Sequence, residues 1–334
     1  MNCSMDDARI NYKLMRKCLT NKPKRFFHYT SQASFYAMFK DYTEEIVKCE
    51  YGKKKKYVTL FASQVQFLND RQEYIEGVKI VSNANIPTTD LFESIFVTCF
   101  CGKEDLLSQW KYYGKDCGIS IEFDFSKDVR LCWFALMKKE NVEETPFVYW
   151  TSIRPYSVIY KNHETEFDRI RNEVRNNKFK DLSDKEAANI FVPYCKNSKF
   201  SEENESRLVF YPIKSELPNG DCLLTQLEYR ESKGKIIPQF KCKIAYENNN
   251  ERIIPVKSVM IGPGYNQHLV FNSVINMLEP DREKVRFFSD EEIENAVKYG
   301  QESKRNNIGI KDGRVTYITS NHIKISMSTV PMRD

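Results

Sequence analysis

Signatures of membrane crossing, secretion and zinc binding are missing from this 334-residue sequence. No uncharged apolar run approaches the roughly 20 residues that a membrane helix needs. The opening Met1-Asn2-Cys3-Ser4-Met5-Asp6-Asp7 has neither the basic start nor the apolar core of a secretory leader. These absences predict a soluble chain in the cytoplasm with no membrane partner. Histidine is scarce, with four in the chain, and no second cysteine pair or histidine lies at ligand spacing near Cys99 and Cys101. No metal site is therefore expected. The ten cysteines are scattered, and Cys117, Cys132 and Cys242 sit in apolar segments, as reduced core thiols do. No internal repeat, linker or low-complexity break divides the chain. A dinucleotide fingerprint is also incomplete, because Gln267 stands where the third glycine after Gly262 and Gly264 should be.

What is present is enough to build a core: 41% of residues are apolar and 13% aromatic. Lys and Arg number 51 against 46 Asp and Glu, a net charge of +5 that permits a nucleic-acid partner without arguing for one. Spaced apolar positions predict a helical extension over residues 1–24, then a single α+β domain over 25–334 with a helical insertion near 163–197. Short strands are expected at 26–30, 46–50, 57–62, 94–100, 117–123, 129–136, 147–160, 223–230, 236–246, 253–261, 315–319 and 322–327. Helices are expected after Ser31, after the Asn69-Asp70 pair, over 105–113, after Gly264 and near 290–304. Strands broken by surface helices, without regular alternation, predict a mixed, mainly antiparallel sheet core. The lysine run at 53–56 reads as a solvated turn.

The stretch with the most chemistry is F-S-E-E-N-E-S-R-L-V-F over 200–210. On an extended strand, Glu203, Glu205 and Arg207 would share one face. That face is either a solvated ion-pair ladder or the wall of a cleft. His28 falls at the end of an apolar strand just before a helix, where it is either a satisfied core residue or a ligand-facing one. Trp110, Tyr112 and Tyr113 crowd a short helix ahead of Gly114, as core or as a stacking surface for a planar ring.

Seven blocks in order, F-H-Y-T-S (27–31), L-N-D (68–70), C-F before W-x-x-Y (Trp110, Tyr113), G-I-S-I-E-F (118–123), E-x-E-x-R (203–207), V-M-I-G-P (259–263) and S-T-V-P-M-R (328–333), resemble the bacterial domain-of-unknown-function family 2971. Where that family often has an aromatic before the arginine, this chain has Ser206. A more distant resemblance, in the early strand-end histidine, central aromatics and late E-x-E, is to mono-ADP-ribosyltransferases. It implies a split, two-sheet core with NAD as substrate and no metal. Glu205 would stabilise the oxocarbenium-like state and Glu203 would orient or deprotonate the acceptor. His28 would hold the ribose hydroxyls, Tyr113 or Trp110 would stack on nicotinamide, and Arg207 would hold a carboxylate or a cofactor phosphate. The acceptor would be a macromolecule, nucleic acid or protein, in a toxin or phage-defence setting with an antitoxin or defence-system partner. Two other readings stay open. One is a non-catalytic nucleotide- or nucleic-acid-binding module in which the acids and Arg207 form a structural ladder. The other is a metal-dependent nuclease-like effector using Asp70, Glu73, Glu203 and Glu205.

Overall fold

A computed structural model describes residues 25–48, 57–68, 95–125, 154–160, 190–211, 227–248, 251–279 and 308–331 apart from isolated positions. Shorter described stretches lie at 131–138, 147–149, 214–216 and 222–225 and around 168, 281 and 288–295. The expected helical extension, the Asn69-Asp70 cap, the lysine turn and most of the 163–197 insertion fall outside them. The architecture is α+β with few helices and mainly antiparallel sheets, as the strand spacing predicts. No helix among the described residues is long and apolar enough to cross a membrane.

Two compact units are assembled from interleaved stretches of chain. The first takes Thr59–Phe100 and Asp128–Ile244, the second Arg25–Val58, Cys101–Lys127 and Ala245–Asp334.

In the first unit, the β-branched and aromatic strand Phe96–Phe100 pairs antiparallel with Ser206–Phe210, which on its other edge pairs with Tyr156–Ser157. Val97 packs with Val65, Ile95 and Val192, all at most 2% exposed. Burial of such side chains contributes about 1.5–3 kcal/mol each. A short parallel pair, Ile159–Tyr160 with Cys195–Lys196, sets Tyr160 opposite Lys196.

The second unit holds a six-stranded sheet in the order Phe26–Thr30, Ile119–Phe123, Val256–Ile261, Lys324–Met327, Arg314–Ile318, Ile308–Lys311. Its pairs are antiparallel except Val256–Ile261 with Lys324–Met327, which is parallel. The helix Gln267–Leu278 buries Val270, Phe271, Val274, Ile275 and Leu278 at helical spacing, and it packs on the two central strands. Buried Asn272 on this helix is satisfied at both ends, donating to the Phe288 carbonyl (2.9 Å) and accepting from the Phe288 amide (3.0 Å).

The helix after Ser31 runs over Gln32–Lys48, and the Ser31 hydroxyl accepts from the Ser34 amide, a cap the sequence predicts. It also absorbs residues 46–48, where the apolar spacing predicts a strand. The run from Asp41 to Lys48 contains Glu44, Glu45 and Lys48 and no glycine or proline, so nothing in it ends a helix already under way.

Candidate functional site

The acidic stretch is shaped by a turn that period-two reasoning does not anticipate. Asn197 caps a 3₁₀ helix, Ser198–Glu203, by accepting from the Lys199 amide. Asn204 then takes the left-handed conformation (φ 44°, ψ 53°), which asparagine tolerates better than most residues. The strand therefore begins at Ser206, and the expected extended run through Glu203 is corrected: Glu203 ends a helix and Arg207 lies inside a sheet.

Their charges nevertheless meet. Lys196 reaches over from its short strand, its Nζ bonding Glu203 Oε2 at 2.8 Å and also contacting Glu205 Oε2. Arg207 Nε donates to Glu205 Oε1 at 2.5 Å, and Arg207 Nη1 donates to the Pro193 carbonyl at 2.7 Å. Arg207 is 1% exposed and Glu205 4%, so this is a buried charge cluster rather than a solvated ladder. The backbone pins it further. The Glu205 amide donates to the Tyr160 hydroxyl (2.8 Å), and the Glu205 carbonyl accepts from the Val158 amide (2.9 Å). The Phe200 ring lies 5.0 Å beneath the Lys196 ammonium, a cation–π contact.

The two carboxylates are driven in opposite directions. Burial works to raise both. For Glu205 it is outweighed by the adjacent Arg207 and Lys196 cations, which bring its pKa down to about 2. For Glu203 burial outweighs Lys196 and the value is raised. Around them the Tyr160 hydroxyl is pushed up to about 12, and the Cys99 thiol well above its ordinary value, chiefly by burial. The result is one carboxylate held ionised beside another that is readier to carry a proton, an arrangement suited to acid–base work at neighbouring atoms.

Lys196, Tyr160 and Cys99 are cluster members that sequence reasoning missed. The only signal is Lys196's place seven residues before Glu203.

The remaining expected site residues belong to the second unit. Trp110, expected to stack on a ring of the cofactor, is instead core: it is 2% exposed, packs edge-on to Tyr29 (4.7 Å between centroids) and donates Nε1–H to Asp105 at 2.8 Å. Two glycines make room for it, since a Cβ on Gly114 or Gly262 would lie 2.5 Å or 2.7 Å from its ring. His28 stands opposite Ile121 in the sheet while Tyr29 stands opposite Ser120, so His28 is on the face away from Tyr29 and Trp110. Tyr113, at the helix end, is 43% exposed. Glu203, Glu205 and Arg207 are in the first unit, and the structure joins those three alone of the expected set. Asp70 and Glu73 lie outside the described residues.

Several of the motif blocks meet around Asp105. Its carboxylate accepts from Trp110, from the Ser328 hydroxyl (2.5 Å) and from Arg314 (3.0 Å). Gln267 Nε2 donates to the carbonyls of Ile261, Gly262 and Ser328. The W-x-x-Y, V-M-I-G-P and S-T-V-P blocks are thus one packed joint in the second unit.

The family model described as "Protein of unknown function (DUF2971)" matches residues 109–208. That span holds Trp110, Tyr113, the Ile119–Phe123 strand and the whole of E-x-E-x-R, and it supports the family over that part of the chain. No curated protein and no solved structure matches the chain.

Proposed function

We propose that this chain is an ADP-ribosyltransferase-like enzyme that consumes NAD, with Glu205 and Glu203 as its reacting carboxylates. The observation that supports this reading is a buried pair of neighbouring acids bridged by one lysine, with Arg207 on the far oxygen of Glu205; burial raises Glu203 while the two cations lower Glu205. In the proposed reaction the C–N bond between nicotinamide and ribose breaks with its electron pair leaving on nicotinamide. The ribose then carries the positive charge of an oxocarbenium-like state. Glu205, ionised at every moderate pH, accepts a hydrogen bond from a ribose hydroxyl through Oε2, the oxygen Lys196 otherwise holds, while Arg207 keeps Oε1 in place. Glu203 takes the proton of the attacking acceptor, a macromolecule, as the new bond to ribose forms. A toxin or defence setting follows from the resemblance alone.

A second reading has an observation of its own. Both Glu205 oxygens already have cationic partners inside the fold, which is how a purely structural carboxylate is satisfied. On that reading the chain is a nucleotide- or nucleic-acid-binding module.

Nicotinamide release from NAD by purified protein, with and without cell extract as acceptor source, separates the two. Release by the wild type, lost in a folded Glu205→Gln variant, supports the enzyme. Absence of release together with absence of NAD binding by calorimetry overturns it.

A further inference from the structure

We propose that an aromatic surface of the second unit, formed by Tyr36, Tyr112, Tyr113 and Tyr265, binds single-stranded nucleic acid. These rings are 61%, 62%, 43% and 84% exposed. They come from three separate stretches that meet at Gly114, Asp116, Cys117 and Gly118. Tyr113 immediately precedes Gly114, whose carbonyl accepts from the Gly118 amide at 3.0 Å. Tyr265 immediately follows Gly264, where a Cβ would lie 2.1 Å from Cys117 Sγ, and the Cys117 amide donates to Pro263. Tyr36 is one turn along its helix from Gln32, whose Nε2 donates to the Asp116 carbonyl at 3.1 Å. The loop itself holds Asp116 and Cys117 at positive φ (52° and 58°), conformations that persist only when the surroundings enforce them. A folded unit gains little from four large rings left in water on stretches anchored to one loop, and such exposure marks an interaction surface.

The chemistry beside the rings is suited to phosphate. Lys40 is exposed one turn beyond Tyr36 on the same helix face, and Lys111 is exposed next to Tyr112. The helix Gln267–Leu278 begins two residues after Tyr265, with no side-chain cap at Asn266 and no acid in its first turn, so its amide end stays positive. His268 lies in that first turn, and Asp116 is the acid carried by the loop. Exposed rings on separate stretches, with a lysine beside two of them, match unstacked bases and their phosphates, which a single strand offers and a duplex does not. This surface is distinct from the carboxylate cluster, and its test reads no NAD chemistry.

The test is fluorescence anisotropy with labelled mixed-sequence single-stranded RNA and DNA, the matching duplex, and an acidic peptide. Wild type should bind a single strand saturably and in preference to the duplex. Tyr113→Ala/Tyr265→Ala, folded by circular dichroism, should bind about tenfold more weakly or worse, whereas Tyr265→Phe should bind as wild type does. Lys40→Ala/Lys111→Ala should flatten the salt dependence of binding. Lack of saturable binding to either single strand, equal binding of duplex, unchanged affinity in the folded double-tyrosine variant, or selective binding of the peptide would each overturn the proposal.

Discussion

Arg207, inside a strand, and Glu205, just before it, form a 2.5 Å hydrogen bond at a place where both are almost sealed from water. Two buried ions are expensive to desolvate, so their mutual attraction and the extra bonds to Pro193 and Lys196 must hold together for the fold to tolerate either one. Removal of one partner is therefore worse than removal of both. Arg207→Met should cost about 3–5 kcal/mol in denaturant unfolding, and Glu205→Gln/Arg207→Met should recover part of that loss. A double variant as unstable as the single one would show that the charge balance is not what matters there.

Acid should weaken the first unit through Glu205. Its folded pKa, about 2, is below the ordinary value of 4.5, so the unfolded chain binds this proton more readily. The stabilisation is complete above about pH 4.5 and is lost as pH falls toward 2. Glu203 is raised and has the opposite sign: it favours the folded state below its ordinary value and loses that contribution as pH rises through its folded value. Melting curves across this range should show the acid loss in wild type and less of it in Glu205→Gln. Glu203→Gln should instead improve relative stability on the higher-pH side.

Close backbone approach makes two glycines irreplaceable by their nearest relative. A Cβ on Gly118 would sit 2.1 Å from the Gly114 Cα, and one on Gly264 would sit 2.1 Å from Cys117 Sγ. Gly118→Ala meets rigid backbone and should lose at least as much as Gly264→Ala, each about 1–3 kcal/mol or more by thermal or urea unfolding. Gly313→Ala serves as a contrast, because a Cβ there would meet no atom within 4 Å and its cost is confined to the positive φ of 73°.

Ser328 ties residues 328–331 to the sheet. Its hydroxyl donates to Asp105 and accepts from the Val330 amide (3.1 Å), while its own amide donates to the Ile261 carbonyl (2.8 Å). Ser328→Ala leaves Asp105 short of one donor and should cost about 1.5–3 kcal/mol, as for a bond to a charged group. Hydrogen exchange followed by mass spectrometry should show faster exchange at 329–330 than in wild type, with the Ile119–Phe123 strand little changed.

Much of the fold was legible because hydrophobic periodicity is a local property. The Phe26–Thr30, Phe96–Phe100, Ile119–Phe123 and Val256–Ile261 strands and the Gln267–Leu278 helix all lie where apolar spacing and flanking turns place them. The site was legible only in part. Glu205 and Arg207 stand out as charges at the edge of an apolar run, but Lys196 is brought to them by a parallel strand pair and a left-handed turn at Asn204, and neither has a local signature. Trp110 misled for a related reason. Glycine after an aromatic cluster can mean an open pocket, whereas here Gly114 and the distant Gly262 are small so that the indole can be enclosed. Of the strand expected at 46–50, residues 46–48 are helical instead because a helix, once started, runs on until something stops it.

The strand order of the second unit bears on how the molecule is made. Lys324–Met327 is sequence-later than the other five strands, yet it occupies an interior place between Val256–Ile261 and Arg314–Ile318. A chain emerging from the ribosome can pair Phe26–Thr30 with Ile119–Phe123 early, but the gap at the middle of the sheet stays open until residue 327 is available. Until then two strand edges are unpaired, and unpaired edges are templates for pairing with other chains.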